Sequence, residues 1–159
     1  MMKKGIISVV VIFFTMGVFA QTSNEIDLIQ AAFGIEKIAI VNNFVKPSPE
    51  QKEAFLKVYN EYELKRKKLG ETRIKLLNQY ANQWENMTNE QADTWMKDVM
   101  ALSIKQDKLI KTYYNKVKSA TNAKVATQFY QIEVYILTTI RYSILESIPF
   151  VGEKKDRIK

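Results

Sequence analysis

Two short polar motifs are the residues of this chain whose types and spacing could do chemistry. Ser48-Pro49-Glu50-Gln51 and Thr88-Asn89-Glu90-Gln91 each place a carboxylate two residues after a hydroxyl and directly before a glutamine. The chain has no histidine and no cysteine, so an enzyme built on it would have to work with carboxylates, lysine or tyrosine. Because no nucleophile stands near a base at a recognisable spacing, we expect no catalytic activity.

The spacing of both motifs is typical of the start of a helix. A serine or threonine at such a start accepts a hydrogen bond from the backbone three residues on, and the glutamine there reaches back to the backbone of the first residue. Pro49 suits the first helical position. Glu50 and Glu90 lie where the helix dipole stabilises a carboxylate. The motifs therefore predict two long helices, and their polar residues are interpreted as caps.

The amino terminus has the pattern of a secretory signal peptide. Lys3 and Lys4 precede fifteen uncharged residues, 5–19, and small residues stand before Gln21. A retained membrane anchor is the alternative, but spanning a bilayer takes about 20 apolar residues. We expect residues 1–20 to be cleaved after Ala20, which leaves a periplasmic protein without a stable membrane anchor.

The remaining residues, 21–159, fit one domain, which we place at 21–150, followed by a charged and disordered tail at 151–159. Without cysteine the fold must rest on packing alone. Loss of Lys3 and Lys4 lowers the formal net charge from +7 to +5. An exported protein does not meet genomic DNA, so acidic proteins, lipid head groups or polysaccharide are candidate partners, and plain solubility is the alternative.

Apolar periodicity predicts an all-α fold of four helices with a long central hairpin. The predicted helices span about 23–44, 49–85, 88–118 and 121–148. In the second, Phe55, Tyr62, Leu69 and Leu76 follow a seven-residue repeat, and Tyr59, Arg66, Arg73 and Tyr80 lie four residues after each. As one helix this segment would be roughly 55 Å long, which is too long for a compact globule of this size.

A tight turn at Asn86-Met87 would bring two basic runs together halfway along the hairpin. Lys65-Arg66-Lys67-Lys68 would lie level with the segment from Lys105 to Lys111. The alternative is that these lysines point separately into solvent between acidic residues. The heptad pattern alone does not decide between a basic patch and a solvated surface.

The fourth predicted helix is apolar on more than one face. Its main stripe consists of Val125, Phe129, Ile132, Ile136, Ile140 and Ile144. Other faces carry Val134, Tyr135, Leu137 and Leu145. A helix that is apolar nearly all round is buried on several sides, so we expect it to pack across the hairpin or into a subunit interface.

The two motifs, in this order and spacing, resemble the Spy/CpxP family of periplasmic chaperone-like proteins, whose hallmark is a repeated Leu-Thr-x-x-Gln motif. Phe129-Tyr130-Gln131-Ile132-Glu133 and Ile148-Pro149-Phe150 add to the likeness, which covers about two thirds of the chain and extends to an uncharacterised subgroup. Pro47 and Met87 replace the motif leucine. Members that bind zinc use histidine-rich segments, so no metal or other cofactor is expected here.

The resemblance implies a curved homodimer of long helices that holds unfolded or aggregation-prone envelope proteins without ATP. A docking module for an envelope-stress sensor domain is the alternative function. Electrostatic capture followed by adaptable apolar contact would use a basic surface with aromatic and methionine side chains. The candidate client-binding residues are Lys65, Arg66, Lys67, Lys68, Arg73, Lys105, Lys108, Lys111, Tyr59, Tyr62, Met96 and Met100. For the aromatic residues, the alternative is ordinary hairpin core.

Overall fold

The computed structural model describes residues 36–153, and this part of the chain is all-α. Its helices are α1 (Lys37–Phe44), α2 (Lys52–Gln83), α3 (Asn89–Ala120) and α4 (Ala123–Ser147). Single 3-10 turns, Pro49–Gln51 and Trp84–Asn86, precede and follow α2. The predicted four-helix fold with a long central hairpin is confirmed. The predicted signal peptide, the helical segment before residue 36 and residues 154–159 lie outside the described residues.

The second polar motif is a complete helix cap. The Gln91 backbone N–H donates to Thr88 Oγ1 at 3.2 Å, and the Thr88 N–H donates to Gln91 Oε1 at 2.9 Å. The first copy is looser, with 3.4 Å from the Ser48 N–H to Gln51 Oε1. Gln51 Oε1 also accepts from the side chain of Asn122, the cap of α4, at 3.1 Å. The first motif therefore also ties the start of α2 to the start of α4.

Helices α2 and α3 form the hairpin in the register that the turn at Met87 predicts. Tyr62 packs on Tyr113 with 5.4 Å between ring centroids, and Tyr80 packs on Trp95 at 4.4 Å. In each pair, the two residues lie nearly the same number of positions before and after Met87. Each helix has 32 residues, which corresponds to a hairpin about 48 Å long. The two predicted basic runs therefore lie at the same level.

Helix α4 lies along the hairpin, antiparallel to α3. Tyr130 packs against Tyr114 near the start of α4, and Arg141 reaches Asp107 further along. Its predicted main stripe is buried as far as Ile140, and Ile144 is partly buried. Val134, Tyr135 and Leu145 are exposed in the single chain, because α4 meets the hairpin with one face, and burial of these residues in a subunit interface stays a prediction. None of the helices within residues 36–153 has the length and hydropathy needed to cross a membrane.

The centre of the core is a set of aromatic rings contributed by three helices. Tyr59 and Tyr62 of α2 pack edge-on against Phe129 of α4, and Tyr113 of α3 completes the set, with centroids 5.1–6.4 Å apart. Helix α1 closes one side through Ile40 and Val41. These large rings supply much of the buried apolar area, on which a chain without disulfides depends for its stability.

The first residues after α4 are folded, so the predicted disordered tail is wrong for residues 151–153. The Gly152 N–H donates to the carbonyl of Trp84 at 3.2 Å, and the Tyr80 hydroxyl donates to the carbonyl of Pro149 at 2.6 Å. Gly152 has a φ of 73°, a left-handed conformation that favours glycine. These contacts fasten the end of α4 to the tip of the hairpin.

Replacing Thr88 by alanine should lower the free energy of unfolding by about 1 kcal/mol, because the backbone N–H of Gln91 loses its acceptor. Urea unfolding followed by circular dichroism measures the change. Thr112→Ala is the matched control, since that exposed threonine only donates to the Lys108 carbonyl inside α3. An equal loss in both variants would contradict the capping role.

Candidate functional site

The most highly charged part of the interior is a group of six side chains that we call the Lys37 cluster. It joins Lys37 of α1, Glu133 of α4 and four residues of α2. The members from α2 are Tyr59, Tyr62, Glu63 and Arg66. Their spacing along α2 is three or four residues, so the helix presents all four on one face.

Lys37 uses every proton of its ammonium group. It donates to Glu63, to Glu133 Oε1 at 2.6 Å and to the Tyr59 hydroxyl at 3.2 Å. The nitrogen also lies 5.0 Å from the ring centroid of Tyr62, within cation–π distance. An ammonium has three donors and no acceptor, and all three are engaged here. The ammonium group of Lys37 is therefore fixed by its three hydrogen bonds, and it is not free to act as a nucleophile.

Glu133 is the most deeply buried charged residue of the cluster, with 2% of its surface exposed. It lies in the apolar stripe of α4 between Phe129 and Ile136. One carboxylate oxygen accepts from Lys37 and the other accepts from the Tyr62 hydroxyl at 2.6 Å. A buried carboxylate is costly unless it is paired and hydrogen-bonded, and both conditions are met.

Glu63 is held by two cations. The guanidinium of Arg66 donates to both carboxylate oxygens of Glu63, from Nε at 2.8 Å and from Nη2 at 3.0 Å. Lys37 binds the same carboxylate. Burial alone would raise the pKa of Glu63, but Lys37 and Arg66 together hold it below its ordinary value. The carboxylate is consequently charged at neutral pH.

Burial raises the pKa of both Tyr59 and Tyr62, and the neighbouring carboxylates Glu133 and Glu63 raise it further. Both hydroxyls therefore stay neutral and act as hydrogen-bonding groups. With the tyrosines neutral and the lysine saturated, the cluster contains no activated base or nucleophile. Its chemistry is that of an internal tie between α1, α2 and α4.

A small cavity of about 30 Å³ borders the cluster on the side facing α3. Arg73 and Gln106, both buried, contribute to its wall together with Lys37 and Glu133. A space of this size holds one or two water molecules and no larger ligand. Within residues 36–153, no group of three or more histidine, cysteine, aspartate or glutamate side chains could hold a metal ion.

Lys37, Glu63 and Glu133 were not among the site residues predicted from the sequence. A lysine and a glutamate each interrupt an apolar stripe, Lys37 beside Ile40 and Glu133 beside Ile132 and Ile136. Two opposite charges on the inner faces of two helices are a signal for a buried pair, but only the packing shows that they meet.

Several predicted client-binding residues are internal. Tyr59 and Tyr62 are 2% exposed and form the aromatic core, so the expectation that they lie on the surface is wrong. Arg73 is also buried, and Arg66 is turned inward onto Glu63. The heptad positions that these four occupy face α3 and α4, which explains their burial.

The other predicted residues lie on the outside. Met96 and Met100 are about half exposed, at 45% and 52%. The six lysines at positions 65, 67, 68, 105, 108 and 111 are exposed. Lys65 lies with its nitrogen 5.6 Å from the ring centroid of Tyr113, so its stem crosses the α2–α3 groove.

No known protein family, curated protein or solved structure matches this chain. The likeness to the Spy/CpxP family stays a prediction that rests on the two motifs and their spacing.

Replacing Lys37 by methionine should destabilise the protein by about 3 to 5 kcal/mol, because the buried Glu133 would be left without its counter-charge. Urea unfolding at pH 7 measures the loss. Adding Glu133→Gln should recover part of it, since a neutral amide still accepts from Tyr62. The exposed Lys46→Met is the matched control, with an expected change of less than about 0.5 kcal/mol. A cost below about 1 kcal/mol for Lys37→Met would contradict the proposed pairing.

The lowered pKa of Glu63 predicts a loss of stability in acid. A carboxyl whose pKa is lower in the folded state contributes stability at neutral pH and loses it as the pH falls below the unfolded value of about 4.3. The urea midpoint should therefore fall as the pH is lowered below about 5, and Glu63→Gln should flatten this dependence. The exposed Glu53→Gln serves as a control, and an equal flattening there would contradict the assignment to Glu63.

Proposed function

We propose that this protein is an exported, ATP-independent chaperone-like protein of the periplasm that binds unfolded or aggregation-prone envelope proteins. The observation that carries the proposal is an exposed stripe on α3. Met96, Met100 and Ile104 recur every four residues and are 45%, 52% and 67% exposed. Lys108 follows four residues after Ile104, and Lys111 follows three residues after Lys108. We call this set the α3 stripe.

The apolar half of the α3 stripe suits clients of varied sequence. Methionine is unbranched and polarizable, so it adapts its shape to different apolar partners. Partly exposed side chains give contacts that are individually weak, which permits release without nucleotide hydrolysis. The α3 stripe is therefore better suited to binding many different clients than to binding one specific partner.

Three acidic residues near the basic half of the α3 stripe are paired with other cations. Glu63 is bound by Lys37 and Arg66, and Asp107 is paired with Arg141 at 3.1 Å. Glu61 is paired with Lys116 at 3.3 Å. These three carboxylates would otherwise offset the lysines around them. Long-range attraction of acidic clients toward Lys65, Lys67, Lys68, Lys105, Lys108 and Lys111 raises the rate of encounter and is screened by salt.

The purified protein should suppress the aggregation of a chemically denatured acidic protein without nucleotide, and more effectively at low than at high salt. Met100→Ser combined with Ile104→Ser should weaken capture about tenfold at both salt concentrations, the equivalent of 1.4 kcal/mol of lost apolar contact. Lys108→Gln combined with Lys111→Gln should slow capture at low salt and leave high-salt capture nearly unchanged. Light scattering and stopped-flow fluorescence measure the two effects.

Lys52→Gln combined with Lys124→Gln is the matched control, because both residues are exposed and the net charge changes by the same amount. It should behave like the unaltered protein. Absence of suppression at either salt concentration would sink the proposal, as would saturable binding to one sensor domain with no effect on aggregation.

A further inference from the structure

Tyr113 of α3 carries a buried hydroxyl group that makes no hydrogen bond. The residue is 1% exposed, and its hydroxyl oxygen has no hydrogen-bond partner within residues 36–153. The neighbouring core tyrosines differ, since Tyr62 donates to Glu133 at 2.6 Å and Tyr59 accepts from Lys37 at 3.2 Å. A buried hydroxyl without a partner costs stability, and folded proteins rarely keep one. The hydroxyl of Tyr113 therefore calls for an acceptor from outside the fold.

Two lysine side chains lie over the ring of Tyr113. The Lys116 nitrogen is 4.8 Å from the ring centroid, and the Lys65 nitrogen is 5.6 Å from it. Glu61, four residues before Lys65 on α2, accepts a hydrogen bond from Lys116 at 3.3 Å. Glu61 and Lys65 thus lie on the side of α2 that faces α3. We call Glu61, Lys65, Tyr113 and Lys116 the Tyr113 site.

The two ammonium groups cannot satisfy the hydroxyl of Tyr113. An ammonium group only donates, so neither Lys65 nor Lys116 can accept the hydroxyl proton. Glu61 raises the pKa of Lys116, and the nearby Tyr113 raises it further, so Lys116 is charged at neutral pH. The site therefore offers two positive charges and one O–H donor, which together suit an anion.

Glu61 holds its place in the Tyr113 site only weakly. Its pair with Lys116 at 3.3 Å joins side chains that are 48% and 46% exposed. Ion pairs at such exposure contribute little, because water screens both charges. A more highly charged anion can therefore displace Glu61 from Lys116 at little cost.

A phosphate group has the charge and the acceptors that this arrangement requires. A phosphomonoester carries roughly −1.5 to −2 charges at pH 7 and has three strong acceptor oxygens. It can accept from both ammonium groups and from the tyrosine hydroxyl at once. A carboxylate carries one negative charge, so it would balance only half the charge of the two lysines. The exposed lysines at positions 67, 68, 105 and 108 add longer-range attraction.

From the unsatisfied hydroxyl, the two ammonium groups and the weak hold of Glu61, we infer that the Tyr113 site binds a phosphate group. The phosphate oxygens accept hydrogen bonds from Tyr113, Lys65 and Lys116. The same three donors serve inorganic phosphate and the phosphomonoester head group of a lipid. The site shares Lys65 with the proposed client-binding residues, but the inference does not rest on client binding.

Calorimetric titration with sodium phosphate at constant ionic strength tests the site. The unaltered protein should bind one phosphate per chain. Tyr113→Phe removes only the hydroxyl and should weaken this binding about tenfold, because a hydrogen bond to a charged group is lost. The urea midpoint of the variant should be unchanged or higher, since the hydroxyl has no partner inside the fold. A lower midpoint would reveal an internal partner and would contradict the inference.

Charge variants at the edge of the site should act in opposite directions. Lys65→Gln and Lys116→Gln should each weaken phosphate binding about fivefold, whereas Glu61→Gln should strengthen it about threefold by removing a competing negative charge. Lys67→Gln is the matched control, because it removes the same charge from α2 at a position that does not face the site. An equal loss in Lys67→Gln, or no loss in Tyr113→Phe, would indicate an adventitious ion only and would overturn the inference.

Vesicles distinguish the two sources of phosphate. Sedimentation with phosphatidylcholine vesicles that contain phosphatidic acid, a phosphomonoester lipid, is compared with sedimentation with pure phosphatidylcholine vesicles. Retention on phosphatidic acid that Tyr113→Phe reduces would identify a lipid head group, and binding of inorganic phosphate alone would identify the free anion. Both outcomes support the site. Absence of Tyr113-dependent binding in both experiments would overturn it, as would acetate that binds as tightly as phosphate.

Discussion

The ammonium group of Lys37 is the constraint on which the rest of the structure depends. It is the point at which α1, α2 and α4 meet, and it carries the positive charge that makes the deeply buried carboxylate of Glu133 tolerable. Three directed hydrogen bonds from Lys37 hold α1 against α2 and α4. In a protein without disulfides, this cluster joins helices from three separate parts of the chain.

The same pairing shapes the outside of the molecule. Glu63 is paired within the Lys37 cluster, Asp107 is paired with Arg141, and Glu61 is paired with Lys116. The lysines along the hairpin are therefore less compensated than their sequence neighbours suggest. An outward stripe on α3 that is both basic and apolar results. We propose that this stripe binds clients.

Much of the fold follows from local rules that act on neighbouring residues. Capping motifs, the seven-residue repeat and the turn at Met87 predict the helix starts, the seam of α2 and the register of the hairpin, and the structure confirms each of them. The candidate site was less predictable. Tyr59 and Tyr62 were candidate client contacts with ordinary hairpin core as the alternative, and the structure places them in the core. Val134, Tyr135 and Leu145 were expected to be buried against the hairpin or in a subunit interface, and they do not pack into the hairpin core.

The sequence by itself determined the all-α class, the two capped helices and the length of the hairpin, because capping and periodicity involve residues within a few positions of one another. Only the tertiary structure decided that Lys37 meets Glu133, 96 residues further along the chain. It also decided which face of α4 packs against the hairpin. Periodicity reports that a helix has an apolar face, but the partner of that face depends on how distant helices pack. Burial and charge pairing are therefore settled only when the helices come together.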